Sequence, residues 1–172
     1  MTRLAEELQG RAQPAGYISF LSALVHHDVI VDGLASIQVA SLDRAGPWEV
    51  EEGPVEYHLL PPDLWFGHRE ELFESAMVPV AGPEKALIDW CWLAEELGLD
   101  PRLDEMDWNA LDVTLLDQLA AETGVSYRRM LPPAGESQHD QERLRAEAVT
   151  RLRNEGGLSD GSGSRALLQA PR

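Results

Sequence analysis

The spacing of apolar residues along the chain changes several times, and each change marks a different kind of element. Near the start, Leu4, Ala5 and Leu8 recur at helical spacing behind Thr2, which can cap, and Gly10 ends the run. After Pro14-Ala15-Gly16, Phe20, Leu24 and His27 share a second helical stripe, with Ser19 in the N-cap position. The period then falls to two. Residues 36–41 and 55–59 alternate apolar and polar, and 48–51 form a third strand between the turns at Gly46-Pro47 and Glu52-Gly53-Pro54. Residues 77–80 read as an edge strand, because Pro79 has no N–H to give to a ladder.

From Pro83 the period returns to that of a helix. Ala86, Leu87, Trp90, Leu93, Ala94 and Leu97 build one apolar face, Pro83 takes the first helical position and Gly98 closes the element. Asp107 is a predicted cap for a further helix to about residue 123, and a short turn at 126–130 stops before Pro132-Pro133. The class that follows is α+β: a small, mostly antiparallel sheet flanked by helices, with a helical C-terminal part. We place one domain at 1–133, a peripheral charged helix at 134–155, and a tail at 156–172 that its Gly/Ser-rich composition predicts to be flexible.

Charge alters this picture once it is divided along the chain. Of the net −16, residues 43–122 carry the whole amount, with twenty acids against four bases. That surface repels phosphate, which disfavours direct nucleic-acid binding through the middle of the chain and favours a basic protein partner. No stretch approaches the roughly 18 apolar residues of a membrane helix, and Glu6-Glu7 stand where a secretory signal needs its apolar run, so a cytoplasmic protein is expected. Cys91, the single cysteine, is expected to be a small buried hydrophobe. Lysine also occurs once, as Lys85, beside thirteen arginines.

Three segments carry a resemblance: Gly16-Tyr17-Ile18-Ser19 with Ser22-Ala23-Leu24; Tyr57-His58-Leu59 running on to Trp65-Phe66-Gly67; and Ala81-Gly82-Pro83-Glu84-Lys85-Ala86-Leu87-Ile88-Asp89. In this order and spacing they resemble the C-terminal domain of the AbiEi-type antitoxins of bacterial abortive-infection systems. The resemblance implies a non-enzymatic protein that restrains a cognate nucleotidyltransferase-type toxin. It marks Tyr17, Ser19, Ser22, Phe66, Gly67, Pro83, Glu84, Lys85 and Asp89 as family-motif positions with a structural role. Members commonly carry an N-terminal winged-helix domain, which is not expected here because the matching opening lies so near Met1.

Several residues invite chemistry. Glu84 and Asp89 are five apart and point about 140° from each other on a helix, so they do not converge on one ion, whereas Lys85 and Asp89 at i,i+4 can pair. Adjacent helical residues such as His26 and His27 diverge by about 100°, and no Cys/His cluster has ligand spacing, so neither a metal nor a cofactor is expected. Catalytic residues are likewise not expected, since hydrolase and phosphate-loop signatures are absent from the sequence. The five tryptophans, at 48, 65, 90, 92 and 108, are expected mostly in the core, with Trp90, Trp92 and Trp108 also candidates for contact with a protein partner. The alternative function is a DNA-binding regulator with a helix-turn-helix-like segment at 115–131 and Tyr127, Arg128 and Arg129 leading its second helix.

Overall fold

A computed structural model describes residues 3–9, 15–31, 34–51 and 53–131. The expected cap at Thr2, the stop at Gly10, the charged helix and the C-terminal tail lie outside the described residues. Helix α1 (Arg3–Gln9) leads into strand β1 (Tyr17–Ile18), helix α2 (Phe20–His26) and strands β2 (Ile37–Ser41), β3 (Gly46–Val50) and β4 (Gly53–Leu59). Strands β5 (His68–Phe73) and β6 (Ala76–Ala81) form a hairpin before helix α3 (Pro83–Leu97), and helix α4 (Val113–Thr123) is the last α-helix of the described residues.

The α+β class is observed, as one six-stranded sheet of order β3-β4-β2-β1-β6-β5. Three pairings are antiparallel and two, β1 with β6 and β2 with β4, are parallel, so the sheet is mixed. Two of its strands carry weak sequence signals. β1 is only two residues long, and β5 runs from four polar residues into Leu72 and Phe73 with no alternation, on the sheet edge, where burial is slight. β6, predicted as an edge, is interior. Proline is tolerated there because the register brings β1 to β6 only at Ile18–Val80, leaving no β1 residue opposite Pro79.

Chain geometry explains why β1 is so short. After Ile18 the backbone turns into α2, which takes the place of a longer strand beside β2: the Ser19 N–H donates to the Gln38 carbonyl, Leu21 N–H to Gln38 Oε1, and Gln38 N–H to Ser22 Oγ. Phe20 adopts φ +56, a left-handed conformation that costs a bulky residue about 1–3 kcal/mol. Complete burial of its ring, edge-on to His58 at 5.1 Å, offsets that cost.

Registers place Ile18, Val39, Tyr57 and Val80 on one face of the sheet. There α1 buries Leu4, Ala5 and Leu8, and its Glu7 accepts from the Tyr57 hydroxyl at 3.3 Å. Tyr17 and His68 lie on the other face, under α3. Helix α3 is buried along most of its length and ends at Gly98 in the left-handed conformation, as its sequence predicts. The helix expected from Asp107 is divided. Asp107 caps a single 3₁₀ turn at Trp108–Ala110, and α4 starts afresh at Asp112, whose carboxylate accepts from the Thr114 and Leu115 N–H groups.

Candidate functional site

Six of the nine positions that carry the resemblance, Tyr17, Ser19, Phe66, Gly67, Lys85 and Asp89, converge. Asp89 sits on the second turn of α3 with its side chain fully buried, and its Oδ2 accepts from Ser19 Oγ at 2.7 Å and from the Tyr17 hydroxyl at 3.0 Å. Its Oδ1 accepts from Lys85 Nζ, and the same ammonium donates to the Tyr17 oxygen at 3.2 Å. Phe66 places its ring 4.8 Å from Lys85 Nζ, adding a cation–π contact. Gly67 has φ +73, and a Cβ there would stand 2.9 Å from Lys85 Cγ, so glycine serves both the backbone conformation and the lysine stem. Four residues from two other segments thus enclose the Lys85–Asp89 ion pair.

Burial sets the electrostatics. Loss of water pushes the Asp89 carboxyl up, while Lys85 and the Ser19 and Tyr17 hydroxyls pull it back down. Burial pushes the Lys85 ammonium down, opposed by Asp89. The Tyr17 phenol is raised far above its ordinary range by burial first, then by the adjacent Asp89 charge. With Lys85 only 3% exposed and Asp89 0%, neither charge meets solvent. Each carries enough partners to be stable there: Asp89 accepts three hydrogen bonds, and Lys85 donates two and faces an aromatic ring. Such an arrangement fixes the position of α3 against β1 and the 65–67 turn.

The sequence places Ser19 as a helix cap, yet its side chain makes no capping bond and is given to Asp89 instead. Ser22 lies outside the cluster and ties α2 to β2. Pro83 opens α3 as expected, and Glu84 does more than favour the dipole: its Oε1 accepts from the Asp112 N–H at 2.8 Å and so fastens the start of α4. Sequence reasoning did not single out His68, whose ring stacks on Tyr17 at 4.5 Å and 14°, or place Trp65 against Tyr17 at 4.9 Å. The one available signal was proximity to the Phe66-Gly67 turn. His68 Nδ1 and His58 Nε2 are buried without hydrogen-bond partners, and burial lowers the basicity of both rings.

The tryptophans divide differently from expectation. Trp90 is buried, with Nε1 donating to the Pro101 carbonyl at 2.8 Å, which leaves too little surface for an anchor. Trp92 and Trp108 are half-buried, and Trp108 donates to the Leu103 carbonyl. Trp48, expected in the core, is 46% exposed on edge strand β3, under the Arg44 guanidinium and bonded to Glu7. At 115–131 the second helix of a helix-turn-helix is replaced by one 3₁₀ turn, Tyr127–Arg129. Tyr127 is buried and donates to Asp117, and Arg128 makes two bonds to the same carboxylate, at 2.9 and 2.6 Å. Of the three residues, Arg129 alone is exposed without an ion pair among the described residues. Where a recognition helix would lie, this segment offers that single turn.

Fold and site together define an α+β domain organised round a buried Lys–Asp–Tyr–Ser network. No family model, curated protein or solved structure matches the chain. No described helix is long and apolar enough to cross a membrane.

Proposed function

We propose that this chain is an antitoxin-like binding protein that counteracts a nucleotidyltransferase-type toxin. One observation carries the proposal: the three segments on which the family resemblance rests, with contacts between residues up to 72 positions apart, meet in a single buried network through Ser19, Tyr17, Phe66, Gly67, Lys85 and Asp89. Positions that match by chance have no reason to touch. Positions retained to build one domain do.

The working surface then lies outside the network, since its charged groups are sealed. Exposed acids at Glu49, Glu74, Glu95, Glu96 and Asp100 fit a basic partner surface, such as the substrate groove of an enzyme that handles nucleotides. The test is co-expression with the product of the adjacent reading frame, which the proposal requires to be a toxic nucleotidyltransferase. Growth restored by the chain supports the proposal, and continued toxicity at equal expression removes it. A direct electrostatic contact also predicts that binding weakens markedly as salt is raised from 50 to about 500 mM. A salt-independent affinity would remove the acidic surface from the proposal while leaving the antagonism itself.

A further inference from the structure

We propose that His26, His27 and Glu71 form a three-ligand site for a divalent transition-metal ion of the zinc class, joining the end of α2 to strand β5. One ligand atom from each residue lies within 4.8 Å of the others, close enough for a single ion to draw all three into its coordination shell. Two imidazoles and a carboxylate are a donor set suited to zinc, with water completing a tetrahedron. The proposal is independent of the antitoxin assignment, since none of the three residues belongs to the buried network.

The divergence of neighbouring helical residues does not apply to this pair. Helix α2 ends at His26, and His27 is already its C-cap, with φ −94 and ψ 13. The two rings come within 4.9 Å, centroid to centroid, at 65°. His27 Nε2 lies 2.8 Å from the Ala81 carbonyl oxygen, which can only accept, so this nitrogen carries the proton and Nδ1 keeps its lone pair. An imidazole whose second nitrogen donates to a backbone carbonyl is the usual state of a metal ligand, because that bond fixes both tautomer and ring orientation.

Glu71 is prepared in the same way. Arg69 Nε donates to its Oε1 at 2.6 Å, and Oε2 faces His26 Nε2 at 3.2 Å. Arg69 opposes a cation by its charge, but its side chain is 72% exposed and water screens it, whereas its hydrogen bond holds the carboxylate in place. His26 also lines a cleft of about 410 Å³ with Val25, Leu34, Ile37 and Phe73. Without metal the same groups amount to a partly exposed ion pair of small energetic weight.

The experiment uses the full, untagged chain stripped with a chelator and titrated with zinc chloride alone at pH 7.5, by calorimetry and by cobalt substitution. The expected result is one ion per chain, with visible cobalt absorption bands of a four-coordinate nitrogen and oxygen site. His26→Ala and His27→Ala should each weaken zinc binding by at least about tenfold and abolish those bands. Glu71→Gln keeps side-chain shape and hydrogen-bonding capacity, so its loss of affinity, with an unchanged circular dichroism spectrum, separates ligation from folding. Absence of zinc binding by the parent chain overturns the proposal. So does unchanged affinity in Glu71→Gln or in the double histidine variant, which would put the ion elsewhere, for example at His139.

Discussion

Ser19 Oγ stands 2.7 Å from Asp89 Oδ2, joining residues 70 positions apart in the chain. Ser19 also occupies the N-cap position of α2, where a serine ordinarily turns its hydroxyl back to the free N–H groups of the first turn. The two duties compete for one oxygen. A buried carboxylate short of a donor costs more than an uncapped helix end, and one of the N–H groups at this end is met by Gln38 Oε1. The hydroxyl therefore serves the carboxylate, and the strained Phe20 that follows is held between these two commitments.

Substitutions at Ser19 should separate the two roles. Ser19→Ala removes a hydrogen bond to a charged group and is expected to cost about 1.5–3 kcal/mol in urea unfolding. Ser19→Asp is the diagnostic change. Aspartate caps as well as serine, so a capping role would leave stability near the parent value. Here it sets a second carboxylate beside Asp89, and the variant should be less stable than Ser19→Ala.

The Lys85–Asp89 pair should show strong coupling. Lys85→Met leaves a buried, uncompensated carboxylate, and Asp89→Leu leaves a buried ammonium together with a Ser19 hydroxyl that loses its acceptor and a Tyr17 hydroxyl left with the Leu64 carbonyl at 3.4 Å. Each is expected to cost about 3–5 kcal/mol, the usual penalty for breaking a buried pair. The double variant should cost clearly less than the sum of the two, by about 1–3 kcal/mol of interaction energy. A double-mutant cycle by chemical denaturation measures this, and simple additivity would mean that the two charges do not sense each other.

Much of the fold was legible because period and punctuation agreed. Pro83, the apolar stripe from Ala86 and Gly98 specify α3 together, and the alternation at 36–41 and 55–59 specifies most of β2 and β4. What escaped depends on tertiary context. β1 is a strand only because β2 and β6 flank it, and two residues hold no period. The i,i+4 rule identified the Lys85–Asp89 pair but carries no information on its burial. Its burial follows from Tyr17, Phe66 and Gly67, which helical geometry cannot bring near. Trp48 was misplaced because an aromatic residue in a strand is ordinarily half-buried, whereas β3 is an edge whose outer row meets solvent.

Acid stability gives a third test. The bonds from Arg128 and Tyr127 hold the Asp117 carboxyl at about 2, below its ordinary value. A carboxylate depressed in the folded state binds fewer protons there than in the unfolded chain, so its contribution is present above the unfolded value of roughly 4 and is lost as pH falls towards 2. The melting temperature should fall over that window, and Asp117→Asn should flatten this part of the profile. The effect is modest because the pair is exposed to solvent, and it should shrink further in high salt. Carboxylate chemical shifts followed by NMR would locate the titration directly, and an Asp117 midpoint near 4 would remove the link to Arg128.

Cys91 offers a measurement of how tightly α3 is held. Its side chain is 0% exposed, and burial pushes the thiol up to about 12, with the nearby Glu95 charge acting in the same direction. The thiolate is the reacting species, so at pH 8 both access and ionisation oppose modification. Native protein should react with a thiol reagent far more slowly than an unfolded sample, in which one equivalent should react at once. The native rate then reports opening of the helix, since the thiol becomes reactive only when α3 leaves the sheet. Because Lys85 and Asp89 anchor the first turns of that helix, Lys85→Met should accelerate Cys91 labelling under native conditions, in proportion to the stability lost. A distant surface change such as Arg129→Ala should leave the rate unaltered. Rapid labelling of the folded parent chain would show that the network does not hold α3 in place.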